Sequence, residues 1–187
     1  MTSQNYDAST HVGNVEGSLI VNNFNSSSRL PQYSIVAQVV KLIADEADMA
    51  PDADRQQDDY DIDLKIEHNE LHEHVMLVDM YYEYASIIER AFNAMDSERL
   101  GHKNLVLKTL NSFYKSSLYK RGYKRNADRS AFVRGNADFI VDDVIEKTKL
   151  LIKDSDSVKD CLLEDFLNAV HCVVGYGIIE CQVLEKP

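Results

Sequence analysis

The sequence lacks a hydrophobic run long enough to cross a bilayer, which takes roughly 20 apolar residues. Its longest apolar stretch is AVHCVVGYGII, which leads into ECQVLEKP and is interrupted by His171 and Glu180. No basic segment followed by an apolar one opens the chain, so we expect no secretory leader. We therefore predict a cytoplasmic protein with no membrane partner, in which the apolar run forms a central core helix.

The sequence is also poor in positive charge. Lysine and arginine total 20 against 31 aspartates and glutamates, and the formal net charge is -11. Proteins that bind nucleic acid or anionic lipid over their whole surface need clustered basic residues. The charge balance therefore excludes a protein whose whole surface binds nucleic acid or anionic lipid. Binding through a local basic patch remains compatible with it.

Cysteine is scarce and does not occur in a framework pattern. The three cysteines, Cys161, Cys172 and Cys181, are odd in number and all lie near the C-terminus. A disulfide framework uses an even number of cysteines in a secreted domain. We interpret these thiols as reduced packing residues.

Catalytic motifs are absent from the sequence. It contains neither G-x-x-x-x-G-K nor G-x-G-x-x-G, and His171 would diverge from Cys172 on a helix. In EHNELHEH, His68 and His72 are four residues apart and would share a helix face, as in some zinc sites. Zinc-protease motifs need a glutamate directly after the first histidine or directly before the second. In this sequence an asparagine and a leucine occupy those two positions. We expect no enzyme, no cofactor and no catalytic metal; a structural or adventitious metal at these histidines is the alternative to a solvated helix start.

Residues 1–31 differ from the rest of the chain and predict a flexible arm rich in serine and asparagine. Within the arm, SLIVNNF is a β-prone segment between the turn signals NVEG and NSSS. An isolated strand cannot satisfy its backbone groups, so this segment would pair with another chain or a domain edge, or stay mobile. The candidate oligomerisation residues are Leu19, Ile20, Val21 and Phe24.

Residues 32–187 indicate a single helical domain, because a 187-residue chain with 44% hydrophobic content supports one sizeable core. Apolar residues recur at spacings of three and four in five segments. The five helices are expected to begin after Pro31, at Asn69, at Asn104, after Asn136 and after Ser157. We predict a mainly α fold of about five helices, preceded by the arm with its short β-strand.

Three local features refine this prediction. Residues 49–63, MAPDADRQQDDYDID, show no apolar period and predict an exposed acidic loop. The aromatic residues Tyr81, Tyr82 and Tyr84 are interpreted as packing residues, because neighbouring acids would repel the phosphates of a nucleic acid. Gly175 and Gly177 in the last helix would permit the close approach of another backbone, or a kink.

Charge is unevenly distributed along the chain. Residues 115–134 contain seven basic residues and one acid, whereas residues 45–98 contain 17 acids and three basic residues. Opposite patches favour contacts between molecules, or they cancel if the two regions fold together. The candidate contact residues are Lys120, Arg121, Lys124, Arg125, Arg129 and Arg134. They would meet an acidic protein partner, or nucleic acid with Tyr119 and Tyr123 as stacking groups, or form a solvated loop.

Three segments carry a resemblance to a known family. GNVEGSLIVNNFNSS resembles the Asn- and Gly-rich, β-prone linker that commonly precedes the C-terminal domains of bacterial ABC-three component systems. LKIEHNELHEHVMLVDMYYEYASIIERAFNAMD is similar to the family's KIE-x-N-x-L start, long helix with a Tyr-rich middle, and acidic end. GIIECQVLEKP is similar to its terminal apolar helix, cysteine, apolar residues and closing proline.

Such systems are defence operons that pair an SMC-like ABC ATPase with a middle component and an effector-bearing protein. The resemblance implies a non-enzymatic module that associates with itself and with the ATPase. It also implies that this module keeps an effector inactive until invading DNA is sensed. Family members commonly carry a nuclease or protease ahead of this domain, whereas about 30 residues precede the first helix here. We expect the effector on another polypeptide, or a stand-alone adaptor. The alternative function is a small nucleic-acid-binding accessory protein that uses residues 115–134.

Overall fold

In a computed structural model of the chain, residues 34–46 and 60–187 are described, and they form seven α-helices and one 3₁₀ turn without a strand. The helices are α1 (Ile35–Asp45), α2 (Tyr60–Asn69), α3 (Met76–Glu98), α4 (His102–Lys120), α5 (Arg129–Arg134), α6 (Ala137–Ile152) and α7 (Leu163–Ile179), and the 3₁₀ turn is Asp156–Val158. The mainly α prediction is confirmed for this part of the chain, whereas the predicted number of about five helices is too low, because α2 and α5 were not predicted. The predicted arm and strand, with Leu19, Ile20, Val21 and Phe24, lie outside the described residues.

The last helix, α7, lies at the centre of the fold. It packs most extensively against α3 and α1, and it also contacts α4 and α6. Its buried residues are Ala169, Val170, Cys172, Val173, Val174, Gly175, Tyr176, Gly177 and Ile178. A helix that is apolar on nearly all sides needs neighbours all round. The prediction of a central core helix is therefore confirmed.

Two glycines let other elements approach α7 closely. A β-carbon at Gly175 would lie 2.4 Å from the backbone oxygen of Leu77 on α3, far inside van der Waals contact. A β-carbon at Gly177 would lie 2.7 Å from Cδ1 of Leu110 on α4. The predicted close approach is confirmed, and at Gly175 it is an approach of two backbones.

The aromatic residues of α3 pack against α7. Tyr81 is buried, and its ring centroid is 5.8 Å from that of Tyr176. The ring of Phe92 also packs against the ring of Tyr176, with centroids 4.8 Å apart. Tyr82 and Tyr84 are half-buried against the core. The interpretation of these tyrosines as packing residues is confirmed.

The helix start predicted at Asn69 is wrong, because Asn69 is the last residue of α2 and α3 begins at Met76. Glu70 adopts a left-handed φ of 52°, and the N–H of Leu71 donates to the carbonyl of Ile66 over 3.1 Å. This is the hydrogen-bond pattern that closes a helix at its C-terminus. The apolar period continues through the break because Leu71 still faces the core, at 2% exposure.

The N-terminus of α3 is capped from a distant part of the chain. The carboxylate of Asp138 on α6 accepts the N–H groups of His72, Glu73 and His74 over 3.3, 2.9 and 3.2 Å. The local N-cap position, Val75, offers no side-chain hydrogen bond. An anion at a helix N-terminus satisfies unpaired donors and complements the helix dipole. Because the cap comes from another helix, no local sequence signal marks this helix start.

The predicted acidic loop 49–63 is wrong where the structure describes it. Residues 60–63 belong to α2, whereas residues 49–59 lie outside the described residues. α2 continues into the protein interior, where Lys65 and Asn69 are 3% and 1% exposed. A pattern search for apolar residues misses α2 because polar side chains occupy these buried positions.

These two polar side chains bind the backbone of the C-terminal segment. The ammonium of Lys65 donates to the carbonyl of Ile178 at the end of α7, which also accepts the N–H of Cys181 over 3.1 Å. Burial lowers the pKa of Lys65. The side-chain amide of Asn69 exchanges two hydrogen bonds of 2.9 Å with the backbone of Glu185. α2 therefore holds the tail that follows α7.

The C-terminal half differs from prediction in two ways: the last helix does not begin after Ser157, and a short helix, α5, is present that was not predicted. Ser155 caps the 3₁₀ turn by accepting the N–H of Ser157 over 3.4 Å, and α7 begins later, at Leu163. The short helix α5 is capped by Asp128, whose carboxylate accepts the N–H of Ala131 over 3.1 Å. α5 was not predicted from the sequence, because six residues are too few to show a helical period.

The substitution Gly175→Ala is expected to destabilise the fold, because its β-carbon would collide with the carbonyl of Leu77 and force α7 away from α3. Overpacking of this kind costs about 1–3 kcal/mol. Urea unfolding measures the change. Gly135→Ala is the matched control, since the nearest atom to its β-carbon is 4.0 Å away. Equal stability of the two variants would contradict the proposed close contact.

Candidate partner-binding surface

The basic segment 115–134 folds as the end of α4, a tight loop and α5. Gly122, with a φ of 95°, ends α4, and the N–H of Tyr123 donates to the carbonyl of Leu118 over 3.0 Å. This is again a left-handed helix closure. Asp128, the only acid in the segment, is used to cap α5. Local hydrogen bonds therefore fix the path of the loop between the two helices.

The aromatic residues of the segment pack mainly on one another. The ring centroid of Tyr123 is 5.9 Å from that of Tyr119 and 5.4 Å from that of Phe132. The hydroxyl of Tyr123 donates to the carbonyl of Ala127 over 3.2 Å. Tyr119 is 59% exposed, whereas Tyr123 and Phe132 are half-buried. Of the two tyrosines that could stack on bases, only Tyr119 is largely open to solvent.

Lys120 belongs to a charged cluster between α4 and α6. Its ammonium and that of Lys147 both donate to the carboxylate of Asp143, and the Ser117 hydroxyl lies 2.7 Å from the same carboxylate. Burial alone would raise the pKa of Asp143, but the hydrogen bonds from Lys120, Lys147 and Ser117 outweigh it and lower the pKa well below its usual range. The charge of Lys120 is thus partly neutralised within the molecule.

Arg121 lies against α6. Its guanidinium carbon is 3.9 Å from the ring centroid of Phe139, which places the cation over the aromatic face. Phe139 is 58% exposed. The two side chains line a groove of about 360 Å³ that also includes Asp142 and Glu146. A cation–π contact of this kind contributes about 0.5–1 kcal/mol at an exposed site.

Arg129 binds the C-terminal tail. Its guanidinium donates to Oε2 of Glu185 over 2.7 Å, and the Tyr114 hydroxyl donates to Oε1 of the same carboxylate over 2.5 Å. Burial, together with the hydrogen bond to Glu185, raises the pKa of Tyr114. Arg129 therefore joins α5 to the tail and to α4.

The other three predicted contact residues are Lys124, Arg125 and Arg134, which we call the unpaired cations. All three are exposed, and none of their side chains has a hydrogen bond or ion pair with another residue in the described part of the chain. Lys124 and Arg125 lie in the loop after α4, and Arg134 ends α5. The structure thus divides the six candidates into three that make internal contacts and three that face solvent.

The two histidines considered for a metal site lie on different local structures. His68 is on α2, whereas His72 is in the turn before α3 and donates its N–H to Asp138. The prediction that they share a helix face is wrong, because α2 ends between them. Among residues 34–46 and 60–187, no group of three His, Cys, Asp or Glu side chains has an arrangement that could hold a metal ion.

The cysteines behave as packing residues in the described structure. All three are free thiols, with Cys172 buried and Cys161 and Cys181 half-buried. Burial raises the pKa of Cys172 to about 12 and also raises that of Cys161. A thiol with a raised pKa is a poor nucleophile. The interpretation as packing residues is confirmed for Cys172, which lies in the core, and for Cys161, which packs against it.

The acids that pair with Lys120 and Arg129 were not predicted from the sequence. Asp143 and Lys147 are four residues apart on α6, a spacing that predicts an ion pair on a helix, so one local signal was present. Glu185 carried no such signal, because its partners Tyr114 and Arg129 are 71 and 56 residues away.

Comparison with known proteins identifies a family for this chain. A family model described as C-terminal domain 10 of the ABC-three component (ABC-3C) systems matches residues 34–185. No curated protein and no solved structure matches the chain. In the part of the chain that the structure describes, every helix is too short or too polar to span a bilayer.

Asp143→Asn is expected to lower the free energy of unfolding by about 1–3 kcal/mol at neutral pH, because two ammonium groups lose their carboxylate. The lowered pKa of Asp143 adds stability above the ordinary aspartate pKa of about 4, and that stability is lost as the pH falls through the folded-state pKa. The difference between wild type and variant should therefore shrink below about pH 4. Urea unfolding of both proteins at neutral pH and at a pH below about 4 measures this difference.

The matched control for this prediction is Glu146→Gln on the same helix. Glu146 is exposed and pairs only with Lys149 among the described residues, over 2.9 Å. Exposed pairs contribute about 0–1 kcal/mol, so the control should stay close to wild type at both pH values. An Asp143→Asn effect no larger than the control's would contradict the assigned cluster.

Proposed function

The chain belongs to the family of C-terminal domain 10 of the ABC-three component systems, and we propose that it serves such a system as a non-enzymatic adaptor. In this proposal it associates with itself and links an SMC-like ABC ATPase to an effector or middle component in anti-phage defence. The family match over residues 34–185 supports membership in the system. The adaptor role rests on the surface of the domain.

The observation that carries the adaptor role is the set of unpaired cations, Lys124, Arg125 and Arg134. They are exposed cations in a chain with a net charge of -11. Exposed charges of one sign accelerate association with an oppositely charged partner and set its orientation. We assign these residues to the acidic face of a partner protein.

Their neighbours give this surface a defined shape. The Gly122 turn and the Asp128 cap fix the loop, and Arg129 anchors α5 to Glu185. Lys120 is held in the same way by Asp143. We therefore separate the six candidates into positioning residues (Lys120, Arg121 and Arg129) and contact residues (the unpaired cations). A pre-organised surface loses less conformational entropy when it binds.

Nucleic acid is the alternative ligand of this surface. Binding of single strands combines cations with aromatic platforms on which successive bases stack. The Tyr123 ring is half-buried between Tyr119 and Phe132, and its hydroxyl is bound to Ala127. The largely exposed aromatic residues here are Tyr119 and Phe139, and the guanidinium of Arg121 already covers one face of the Phe139 ring. This leaves little aromatic surface for successive bases, so the observations favour a protein partner.

Reversing the unpaired cations in Lys124→Glu/Arg125→Glu/Arg134→Glu is expected to weaken binding to the ATPase or middle component about tenfold or more, because each exposed charge contact contributes up to about 1 kcal/mol. Calorimetry with each purified component at low and high salt measures the effect. Lys124→Glu and Lys153→Glu form a matched single-charge pair, since both lysines are exposed. Only the Lys124→Glu substitution should weaken binding to the partner.

Two outcomes would contradict this assignment. Unchanged binding of the triple variant to every component would remove the unpaired cations from the partner interface. Tight binding of single-stranded DNA that falls steeply with salt and is lost in the triple variant would favour the nucleic-acid alternative.

Self-association is assigned to the arm, and specifically to Leu19, Ile20, Val21 and Phe24, which lie outside the described residues. Their β-prone pattern supports strand pairing between protomers. Deleting residues 1–30 is therefore expected to reduce the mass measured by light scattering to that of a single chain. The Lys124→Glu/Arg125→Glu/Arg134→Glu variant should keep the wild-type mass. An unchanged mass after the deletion would contradict the role of the arm.

A further inference from the structure

The turn between α3 and α4 displays apolar side chains to solvent. Leu100 is 90% exposed and Leu105 is 48% exposed. Together with Ile35, the first residue of α1, they line a groove of about 250 Å³. We call this the α3–α4 groove. Isolated exposed leucines are ordinary on protein surfaces, but two leucines and an isoleucine around one concavity suit an inserted apolar group.

The exposure of Leu100 follows from a turn that is held on both sides. Gly101 adopts a left-handed φ of 95°, which reverses the chain directly after Leu100. The carboxylate of Asp96 accepts the N–H of Lys103 over 3.1 Å, and Nδ1 of His102 lies 3.0 Å from the carbonyl oxygen of Met95. These contacts tie the start of α4 to the end of α3. The turn is thus a fixed feature of the fold that presents Leu100 outward.

The charged residues that line the α3–α4 groove are all basic. Arg99 and Lys108 flank the leucines, and His102 is the other titratable group that lines it. Neither Arg99 nor Lys108 has an ion pair with another residue in the described part of the chain. In a chain with a net charge of -11, a concavity with this lining is complementary to an acidic partner.

We propose that the α3–α4 groove binds an acidic segment of a partner protein that places an apolar side chain against Leu100 and Leu105. The carboxylates of that segment would pair with Arg99 and Lys108 at the rim. An apolar anchor surrounded by charged contacts is a common arrangement at protein interfaces. The proposal does not depend on the unpaired cations.

The groove and the surface formed by the unpaired cations lie at opposite ends of α4. The groove is at its N-terminus, and the unpaired cations follow its C-terminus or lie on α5. With 19 residues, α4 is about 28 Å long. One partner protein could reach both surfaces, or two components could bind at once.

The test uses the full chain labelled with ¹⁵N and three synthetic peptides of equal length. The first peptide alternates glutamate and leucine pairs, the second replaces glutamate by lysine, and the third replaces leucine by serine. The first should shift amide resonances at residues 99–108 and near Ile35, and the second and third should not. The shifts should weaken as salt rises, because part of the contact is between exposed charges.

Variants connect the shifts to the groove. Leu100→Ser and Arg99→Glu are each expected to reduce affinity for the first peptide at least fivefold. Leu163→Ser is the matched control, because Leu163 is also exposed, at 65%, but lies at the start of α7. The Lys124→Glu/Arg125→Glu/Arg134→Glu variant should bind the peptide normally, which separates this proposal from the adaptor surface.

Three outcomes would overturn the proposal. The first is an absence of shifts at millimolar peptide, or equal binding of all three peptides. The second is a set of shifts confined to residues 120–134. The third is a concentration-dependent mass in light scattering that Leu100→Ser abolishes, which would make the occupant a second copy of this chain.

Discussion

The approach of α7 to α3 at Gly175 is the constraint on which the rest of the fold depends. With no side chain there, the Leu77 carbonyl comes so near that even a β-carbon would stand 2.4 Å from it. This brings Tyr176 into contact with the rings of Tyr81 and Phe92. Since α1, α4 and α6 also pack on α7, its position relative to α3 determines where the other helices lie.

Acidic side chains from the C-terminal half of the chain connect the helices that surround this core. Asp138 caps α3, Asp143 binds Lys120 and Lys147, and Glu185 binds Arg129 and Tyr114. Each carboxylate joins two or more elements that are distant in sequence. A chain rich in acids thus uses some of them as structural connectors. Buried or half-buried carboxylates need such partners, because an unpaired charge is costly away from water.

Because some acids bind basic residues within the fold, only part of the basic segment 115–134 is available to a partner. As a run of sequence it holds seven basic residues, but Lys120, Arg121 and Arg129 are occupied within the fold. The charges that neutralise Lys120 and Arg129 come from Asp143 and Glu185, and not from the described residues of the acidic region 45–98. The remaining positive surface is therefore smaller than the sequence suggests. It is also better defined, because the occupied residues hold the loop and α5 in place.

Local patterns in the sequence determined the mainly helical class, the central position of the last helix, the close-packing role of Gly175 and the end of α4 near Gly122. Each of these depends on residues near one another in the chain, through helical periodicity or backbone freedom. The tertiary structure alone decided the extent of α2, the start of α3 and the division of the basic residues. Those outcomes depend on Lys65 and Asn69 binding the tail, Asp138 capping another helix, and Asp143 and Glu185 pairing with distant cations. Side chains so far apart in sequence meet only after the helices have packed, so no local pattern could reveal them.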